Sequence, residues 1–300
     1  MLLQSRPGWG QDLSKDIEDM LAVNAAQKQY YEVASGRAVS PVNTLATNLW
    51  RRLRARVLDS VKASTSARAL GALHRQWIGD VTGKKVLELG SGHGSEMSEE
   101  LAAKARRYVA IDLSSRRVGS LKRRLRRSGI KGGRLIAGDF LSPKDLPGQG
   151  FDVIVALSVF HHFEHFDAFL AVVESKLAPG GIVITYDPVQ IWWPIRLVRA
   201  LYRPFQTDSE WEHPFDERAL AAIEARFDVV ACQGLLAKAK WAAAIAVLSP
   251  RLGARLADKW QAEDMAASTT TASLRRSLHA SYCLRKRPAE PPPGTPASPR

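Results

Sequence analysis

The chain lacks most of the features that mark membrane-spanning or disulfide-stabilised proteins. Its 300 residues include only two cysteines, Cys232 and Cys283, which argues against a disulfide framework and a cysteine-rich zinc site. No run approaches about 18 consecutive apolar residues, so no transmembrane helix is expected. The opening residues, MLLQSRPGWGQD, contain too few apolar residues for a signal peptide. A cytoplasmic protein is therefore the expectation, with peripheral contact to a membrane left open.

The composition has an ordinary apolar fraction of 45% but a net charge of +13. Much of this charge lies within residues 104–134, and it is densest in a predicted helix over 115–127. There Val118, Leu121 and Leu125 are spaced three and four apart, so one face is expected to be buried and the rest basic. The basic face is either a solvated surface or an attraction to an anionic membrane or nucleic acid. No RNA-binding motif accompanies it, so nucleic acid is the less favoured partner.

The most informative segment is VLELGSGHG, residues 86–94. An apolar run typical of a buried parallel strand ends there, and three glycines follow at every second position, as in a tight turn that leads into a helix. Glu88 within the run argues against a phosphate cradle. Ser95 leaves the dinucleotide fingerprint GxGxxG incomplete. The loop therefore favours a ligand that carries an adenosine and a positive centre but no pyrophosphate.

Two further predicted strands end in acidic residues. The strand over 107–112 ends at Asp112, where a carboxylate in a doubly wound sheet accepts both ribose hydroxyls. The strand over 134–140 leads to Asp139 and Phe140, which are placed to accept from an adenine amino group and to pack near its ring. Fourth and fifth strands are predicted at 151–158 and 182–187.

These pieces together resemble a class I S-adenosylmethionine-dependent methyltransferase of the small-molecule type. The matching segments are VLELGSGHG, YVAIDLS, AGDF, FDVIVALSVFHHF and LAPGGIVITYDP, in the family's order over residues 83–188. The fifth strand ends in Asp187-Pro188, where many relatives have Glu-Pro. The resemblance implies an α/β fold with a doubly wound, seven-stranded Rossmann-like methyltransferase sheet and S-adenosylmethionine as cofactor. The cofactor-binding residues expected are Glu88, Gly90, Ser91, Gly92, Asp112, Leu113, Gly138, Asp139, Phe140 and Leu157.

The predicted organisation has three parts. Residues 1–78 form an amino-terminal helical cap, with helices at 11–34 and 44–78, and residues 79–287 form the methyltransferase domain. The tail over 288–300 is rich in proline and is expected to be disordered. In the cap, Leu45, Leu49, Leu53 and Val57 recur every four residues. Tyr30-Tyr31 either closes over the ligand or packs on the core.

Two lid insertions are predicted within the domain, at about 189–215 and 238–262. The first interleaves tryptophans with arginines. The second carries an apolar stripe at helical spacing, flanked by lysines and arginines, and Pro250 must kink or split its helix. Both segments fit an interfacial membrane helix or a hydrophobic lid over the acceptor, and the alternative is that they pack on the domain. The stripe comprises Trp241, Ile245, Leu248, Leu252, Leu256 and Trp260.

Histidines just past the fourth strand are the candidate catalytic residues. His161 and His162, and further along His165, lie where this fold presents side chains to the methyl group. An oxygen acceptor needs its proton removed, and histidine suits that task. The alternative, which the His-His-Phe pattern favours, is a structural role at the start of a helix. His213 is an alternative base. The acidic residues near it are expected to be solvated rather than to bind a metal, so no metal is predicted.

The function expected is transfer of a methyl group to a small or lipid-like acceptor, with O- or C-methylation favoured. One alternative is an RNA or protein methyltransferase that uses the basic face. The sequence Ala156-Leu157-Ser158-Val159 lacks the Asn-Pro-Pro-Tyr motif of enzymes that methylate base amino groups. A second alternative is a partner protein that binds S-adenosylmethionine without catalysis.

Overall fold

A computed structural model describes residues 12–33, 52, 64–146, 148–202 and 209–288. The predicted leucine repeat of the cap at Leu45, Leu49, Leu53 and Val57, and all but the first residue of the predicted tail, lie outside these residues. The described helices are α1 (Asp12–Val33), α2 (Ser64–Ile78), α3 (Glu96–Lys104), α4 (Ser115–Arg127), α5 (Phe166–Lys176), α6 (Trp193–Tyr202), α7 (Glu217–Arg226), α8 (Lys240–Leu248), α9 (Pro250–Ala267) and α10 (Thr271–Leu274). The strands are β1 (Lys85–Leu89), β2 (Arg107–Asp112), β3 (Arg134–Ala137), β4 (Phe151–Leu157), β5 (Leu177–Pro188), β6 (Phe227–Leu235) and β7 (His279–Lys286).

The strands form one seven-stranded sheet in the order β3-β2-β1-β4-β5-β7-β6. Strands β1 to β5 pair in parallel, whereas β7 runs antiparallel between β5 and β6. The order reverses between β1 and β4, and ligands of doubly wound sheets bind in the crevice at such a reversal. The predicted doubly wound, seven-stranded sheet is confirmed.

Apolar runs in the strands are explained by burial on both faces of the sheet. Side chains alternate along β1, so that Leu87 and Leu89 join one buried cluster and Val86 joins the other. The same alternation separates Val109 from Tyr108 on β2. Helices therefore cover both faces, and the carboxyl ends of the parallel strands remain as the edge at which a site can form.

The segment predicted as the second lid insertion consists of two helices, α8 and α9. Helix α8 ends at Leu248, and Pro250 is the first residue of α9, where its missing N–H costs no helical hydrogen bond. The two helices pack through small residues, because Ala242 and Ala257 share a buried cluster and a Cβ on Gly253 would lie 2.5 Å from the Cβ of Ala246. Among the described helices, none is long and apolar enough to cross a membrane.

The two segments predicted as lid insertions both begin at the same edge of the sheet. Pro188 at the end of β5 and Leu235 at the end of β6 both pair with His279, the first residue of β7. Helix α6 starts five residues after Pro188, and α8 starts five residues after Leu235. Helices α6 and α8 thus start near the edge of the sheet where β1, β2 and β4 also have their carboxyl ends.

Candidate cofactor and acceptor site

A cleft opens at the carboxyl ends of β1 to β4 and is covered by α1. Six of the predicted cofactor residues and one predicted catalytic residue line it, namely Gly90, Asp112, Leu113, Gly138, Asp139, Phe140 and His162. Side chains from the cap and the flanking loops also line it, among them Asn24, Gln27, Tyr31, Arg117 and Ser158. The cap helix is therefore part of the site.

Gly90 makes the turn out of β1 because no other residue fits there. Its φ is +66°, a value that favours glycine, and an added Cβ would lie 2.5 Å from Cγ2 of Val159. Its N–H donates to the carbonyl of Ile111 at 2.9 Å. This bond fixes the turn to β2. Because Gly90 has no side chain, its backbone faces the cleft directly.

Asp112 at the end of β2 is held by backbone donors. The N–H of Gly92 donates to its Oδ2 at 2.9 Å, and the N–H of Ser114 donates to its Oδ1 at 2.9 Å. A carboxylate has about four acceptor positions, so each oxygen keeps capacity for a ribose hydroxyl. The same bonds tie the glycine turn to β2 and orient the carboxylate.

Asp139 is bridged to the cap helix. The side-chain amide of Asn24 on α1 donates to its Oδ1 at 3.1 Å and to its Oδ2 at 2.9 Å, and the N–H of Leu141 donates to Oδ1 at 2.8 Å. Burial raises the pKa of the Asp139 carboxyl above its ordinary value. The side-chain amide of Asn24 donates to Asp139 as the adenine amino group is predicted to do. Oδ2 of Asp139 accepts one hydrogen bond and can accept a second one from the adenine.

Glu88 is placed differently from the expectation. It does not line the cleft; Ser98 on α3 donates to its Oε1 at 2.8 Å, and the hydroxyl of Tyr108 on β2 donates to its Oε2 by a short bond. Burial raises the pKa of this carboxyl. The carboxylate thus braces β1 against β2 and α3, and its contact with the methionine end of the cofactor stays a prediction.

Three other predicted residues lie beside the cleft rather than in its lining. The N–H of Gly92 is used by Asp112, and Leu157 packs against the apolar cluster on one face of the sheet. Ser91 is buried, and its hydroxyl has no hydrogen-bond partner. Within the lining, the amide nitrogen of Gln27 is buried and likewise lacks a partner.

The two adjacent histidines have different surroundings. His161 is buried, and its Nδ1 lies 2.7 Å from Oδ1 of Asp187 at the end of β5. The backbone N–H of His161 donates to the same oxygen at 3.2 Å, and the hydroxyl of Thr185 donates to Oδ2 by a short bond. The carboxylate can only accept, so Nδ1 of His161 carries the proton. His161 is absent from the cleft lining.

His162 lines the cleft, and its Nδ1 lies 3.2 Å from the carbonyl oxygen of Trp211. A carbonyl only accepts, so Nδ1 carries the proton and Nε2 keeps its lone pair. Burial, with a smaller contribution from His161, lowers the pKa of His162 to about 4. The ring is therefore neutral near pH 7, with Nε2 unprotonated.

The remaining candidates are placed as follows. His213 is fixed through its backbone, whose N–H donates to the carbonyl of His161 at 2.6 Å, and it does not line the cleft. Nδ1 of His165 lies 3.1 Å from the carboxylate of Asp16 on α1. Tyr31 lines the cleft with the guanidinium of Arg117 4.3 Å above its ring, whereas Tyr30 packs edge-on against Trp211. Within the described ranges, no group of three metal-ligating side chains occurs.

The residues present fit the predicted cofactor. Two strand-end carboxylates with remaining acceptor capacity, a bare glycine turn and the buried unpartnered amide of Gln27 surround the cleft. Phe140 is buried beside Asp139. Hydroxyl, amino and carboxylate groups of an adenosyl amino acid match acceptors and donors of these kinds.

Sequence comparison relates the core of the chain to known proteins. Residues 87–183 match a family model described as a methyltransferase domain. A fatty-acid O-methyltransferase of Mycolicibacterium smegmatis is 32% identical over 158 residues, which cover 50% of each protein. A phthiotriol/phenolphthiotriol dimycocerosates methyltransferase of Mycobacterium leprae is 28% identical over 150 residues, 49% of this chain and 48% of that protein. The chain thus spans about half the length of the curated relatives it matches.

Solved structures share the fold. Mycolic acid cyclopropane synthase CmaA1, complexed with SAH and CTAB, aligns with a TM-score of 0.50 and 17% identity over 74% of this chain and 83% of that one. Geranyl diphosphate C-methyltransferase from Streptomyces coelicolor aligns with a TM-score of 0.50 and 14% identity over 73% of this chain and 76% of that one.

Proposed function

We propose that this chain, a class I S-adenosylmethionine-dependent methyltransferase by its domain, transfers a methyl group to an oxygen of a lipid-like acceptor. The observation that carries the proposal is the cleft in which Gly90, Asp112 and Asp139 meet at three successive strand ends. The curated relatives named as fatty-acid and phthiotriol methyltransferases support the acceptor class. A hydroxyl or carboxyl group at the end of a long apolar chain is the acceptor proposed.

S-adenosylmethionine supplies an activated methyl group that the acceptor displaces in line. Asp112 is proposed to hold the ribose and Asp139 the adenine, because both carboxylates are fixed by donors and keep acceptor capacity. The protein's main task is then to orient the two partners and to exclude water. Helix α1 contributes to both, since it covers the cleft and bonds to Asp139 through Asn24.

His162 is proposed to take the proton of an acceptor hydroxyl at its Nε2. Its Nδ1–H is held by the carbonyl of Trp211, and its burial keeps the ring neutral. His161 is proposed as a positioning residue, because its bond to Asp187 fixes the loop that carries His162. A carboxylate acceptor is already deprotonated near pH 7, so for it His162 would orient rather than deprotonate.

The cofactor half of the proposal is tested by calorimetric titration of S-adenosylmethionine. Asp112→Asn should weaken binding at least about tenfold, since charge-assisted bonds contribute about 1.5–3 kcal/mol each. Asp152→Asn is the matched control: that carboxylate accepts from the N–H of Lys85 at the opposite end of the strands. Equal affinity of Asp112→Asn and the unaltered chain would overturn the ribose assignment.

The acceptor half is tested with methyl-labelled S-adenosylmethionine and a panel of long-chain fatty acids, long-chain alcohols, RNA and protein. Label should appear in an ester or ether of a lipid. Labelled RNA or protein, with no labelled lipid, would overturn the acceptor class. For an alcohol acceptor, His162→Gln should lower turnover about 10²–10⁴-fold with cofactor affinity unchanged.

A further inference from the structure

The distribution of exposed apolar side chains is uneven. In the described part of the chain, the large apolar residues that are exposed are Val23, Trp193, Leu197, Val230, Trp241, Leu248 and Leu252. All but Val23 and Val230 lie on α6, α8 and α9. Single exposed apolar residues are ordinary, but a concentration of them marks an interaction surface. We call the set Trp193, Leu197, Trp241, Leu248 and Leu252 the apolar face.

Packing between α8 and α9 explains why these large residues are outside. The contact between the two helices is made by Ala242, Ala246, Gly253 and Ala257. Small residues let the helix axes approach closely and leave no space for large side chains between them. Leu248 is consequently 89% exposed and Leu252 is 48% exposed. The hairpin therefore exposes Trp241, Leu248 and Leu252, whereas Leu256 and Trp260 pack against the small-residue contact.

Side-chain contacts join Trp192, the residue just before α6, to this hairpin. The rings of Trp192 and Trp241 meet edge-to-face with centroids 6.1 Å apart. Nζ of Lys240 lies 5.0 Å from the ring centroid of Trp192 and 5.5 Å from that of Trp241. The apolar residues of α6 and α8 are thus parts of one surface.

The charge around the apolar face is basic. Helices α6 and α8 contain no acidic residue, and Arg196 and Lys240 lie on them. On α9, Arg251, Arg255 and Lys259 are exposed at intervals of four residues. Of the acids on α9, Glu263 pairs with Lys238, Asp264 is buried and Asp258 is exposed.

We propose that the apolar face is a docking surface for an anionic lipid bilayer. Tryptophan and leucine gain by entering the boundary between headgroups and acyl chains, and flanking arginines gain from anionic headgroups. A second copy of the chain would place like charges opposite each other, and nucleic acid would leave Leu248 and Leu252 in water. The bilayer satisfies both the apolar and the basic side chains.

The position of this surface relates it to the cleft. Helices α6 and α8 both start five residues beyond the row Pro188–His279–Leu235. This row is at the carboxyl edge of the sheet, where the cleft opens. A docked bilayer would therefore lie at the edge from which an acceptor enters. Docking itself does not depend on methyl transfer, so it is tested by binding alone.

The experiment is co-sedimentation of the full chain with vesicles of phosphatidylcholine, with and without phosphatidylglycerol. The chain should bind vesicles that contain phosphatidylglycerol and should be released when the salt is raised from about 0.1 M to about 1 M, because the Debye length falls from about 10 Å to about 3 Å. Trp193→Ser with Leu248→Ser should weaken binding at least about tenfold. Both side chains are exposed, so the fold should be retained.

Two matched controls separate this surface from general stickiness and net charge. Val230→Ser removes an exposed apolar residue from β6, outside the apolar face, and should leave binding unchanged. Arg251→Gln with Arg255→Gln should weaken binding about fivefold for each charge removed. Arg123→Gln with Arg126→Gln removes two exposed charges from α4 and should have little effect.

Several results would overturn the proposal. These are an absence of binding to any vesicle, equal losses from the two arginine pairs, and unaltered binding by the Trp193 and Leu248 variant. Concentration-dependent dimerisation abolished by that variant, without vesicle binding, would assign the face to a second copy. Preferential binding to RNA, lost with the same substitutions, would assign it to nucleic acid.

Discussion

The two halves of the sheet use basic amphipathic helices in opposite ways. In the amino-terminal half, β1 to β3, helix α4 buries Leu121 and Leu125 almost completely and exposes Arg123 and Arg126. In the carboxyl-terminal half, β5 to β7, the α8–α9 hairpin buries alanine and glycine and exposes Leu248. An apolar stripe in a sequence therefore does not tell which of its side chains are buried. Where small residues offer a closer packing surface, the large ones are left for another partner.

The halves also differ in their buried ionisable groups. In the amino-terminal half, burial raises the pKa of Glu88 and of Asp139. In the carboxyl-terminal half, burial lowers the pKa of His74, which bonds to Ser281 of β7, and of His279 to about 4 each. A histidine whose pKa is lowered in the folded state favours folding fully at pH values above its unfolded-state pKa. This contribution is lost as the pH falls toward the folded-state pKa. A raised carboxyl pKa acts in the opposite direction.

The largest expected effect is therefore a selective loss of the carboxyl-terminal half in acid. With folded pKa values of about 4 and an unfolded value near 6.5, His74 and His279 should each cost about 2 kcal/mol of unfolding free energy between pH 7 and pH 5. Hydrogen exchange at pH 5 should show loss of protection in β5 and β7 before β1 and β2. His74→Gln should reduce the pH dependence, and His93→Gln, at an exposed position, should not. Equal loss in both halves would contradict the comparison.

Truncating a leucine in each half should give the next largest difference. Leu121→Ala should lower the unfolding free energy by about 2–5 kcal/mol, because Leu121 is fully buried. Leu248→Ala should change it by less than about 0.5 kcal/mol, because that side chain is 89% exposed. Urea unfolding of both variants measures the two values. A substantial loss from Leu248→Ala would mean that the apolar face is an internal packing surface.

Alanine at a helical glycine in each half should give smaller effects of opposite sign. In Gly253→Ala the new Cβ meets the Cβ and Cα of Ala246 at 2.5 and 2.6 Å, which should cost about 1–3 kcal/mol as α8 and α9 separate. In Gly119→Ala on α4 the nearest atom is the flexible end of Arg123 at 3.6 Å, so a gain of about 0.5–1 kcal/mol is expected. Thermal unfolding measures both shifts. Stabilisation by both substitutions would rule out the close packing of the hairpin.

The sequence predicts those parts of the site that depend on strand ends. Gly90, Asp112 and Asp139 each lie at the end of an apolar strand or within two residues of it. Parallel strands bring their carboxyl ends to one edge, so the meeting of these residues follows from the pattern. The side chain of Glu88 follows a different rule. It alternates with Leu87 and Leu89, which join the cluster on the opposite face, so it meets Ser98 and not the cleft.

Contacts between distant segments explain what the sequence does not predict. Asn24 meets Asp139 across 115 residues, and His161 meets Asp187 across 26. The sequence near these residues does not predict either contact, because polar side chains are common on helices and at strand ends. Asp187 can nevertheless be singled out from the sequence, because it is the acidic residue near the end of the apolar strand β5. Its partner is fixed only when β4 and β5 pair.

The insertion of β7 between β5 and β6 determines when the protein can finish folding. This strand is the last described element of the chain, yet it supplies the hydrogen-bonding partner for both neighbours. During synthesis β5 and β6 therefore expose unpaired edges until residues 279–286 have emerged, and pairing of β5 with β7 closes a loop of about 90 residues, a slow step for non-local strands. Pulse-labelled hydrogen exchange should show amides of β7 protected later than those of β1 and β2. Because β7 is made last but pairs with strands on both sides, the carboxyl-terminal half is the part of the nascent chain most exposed to aggregation.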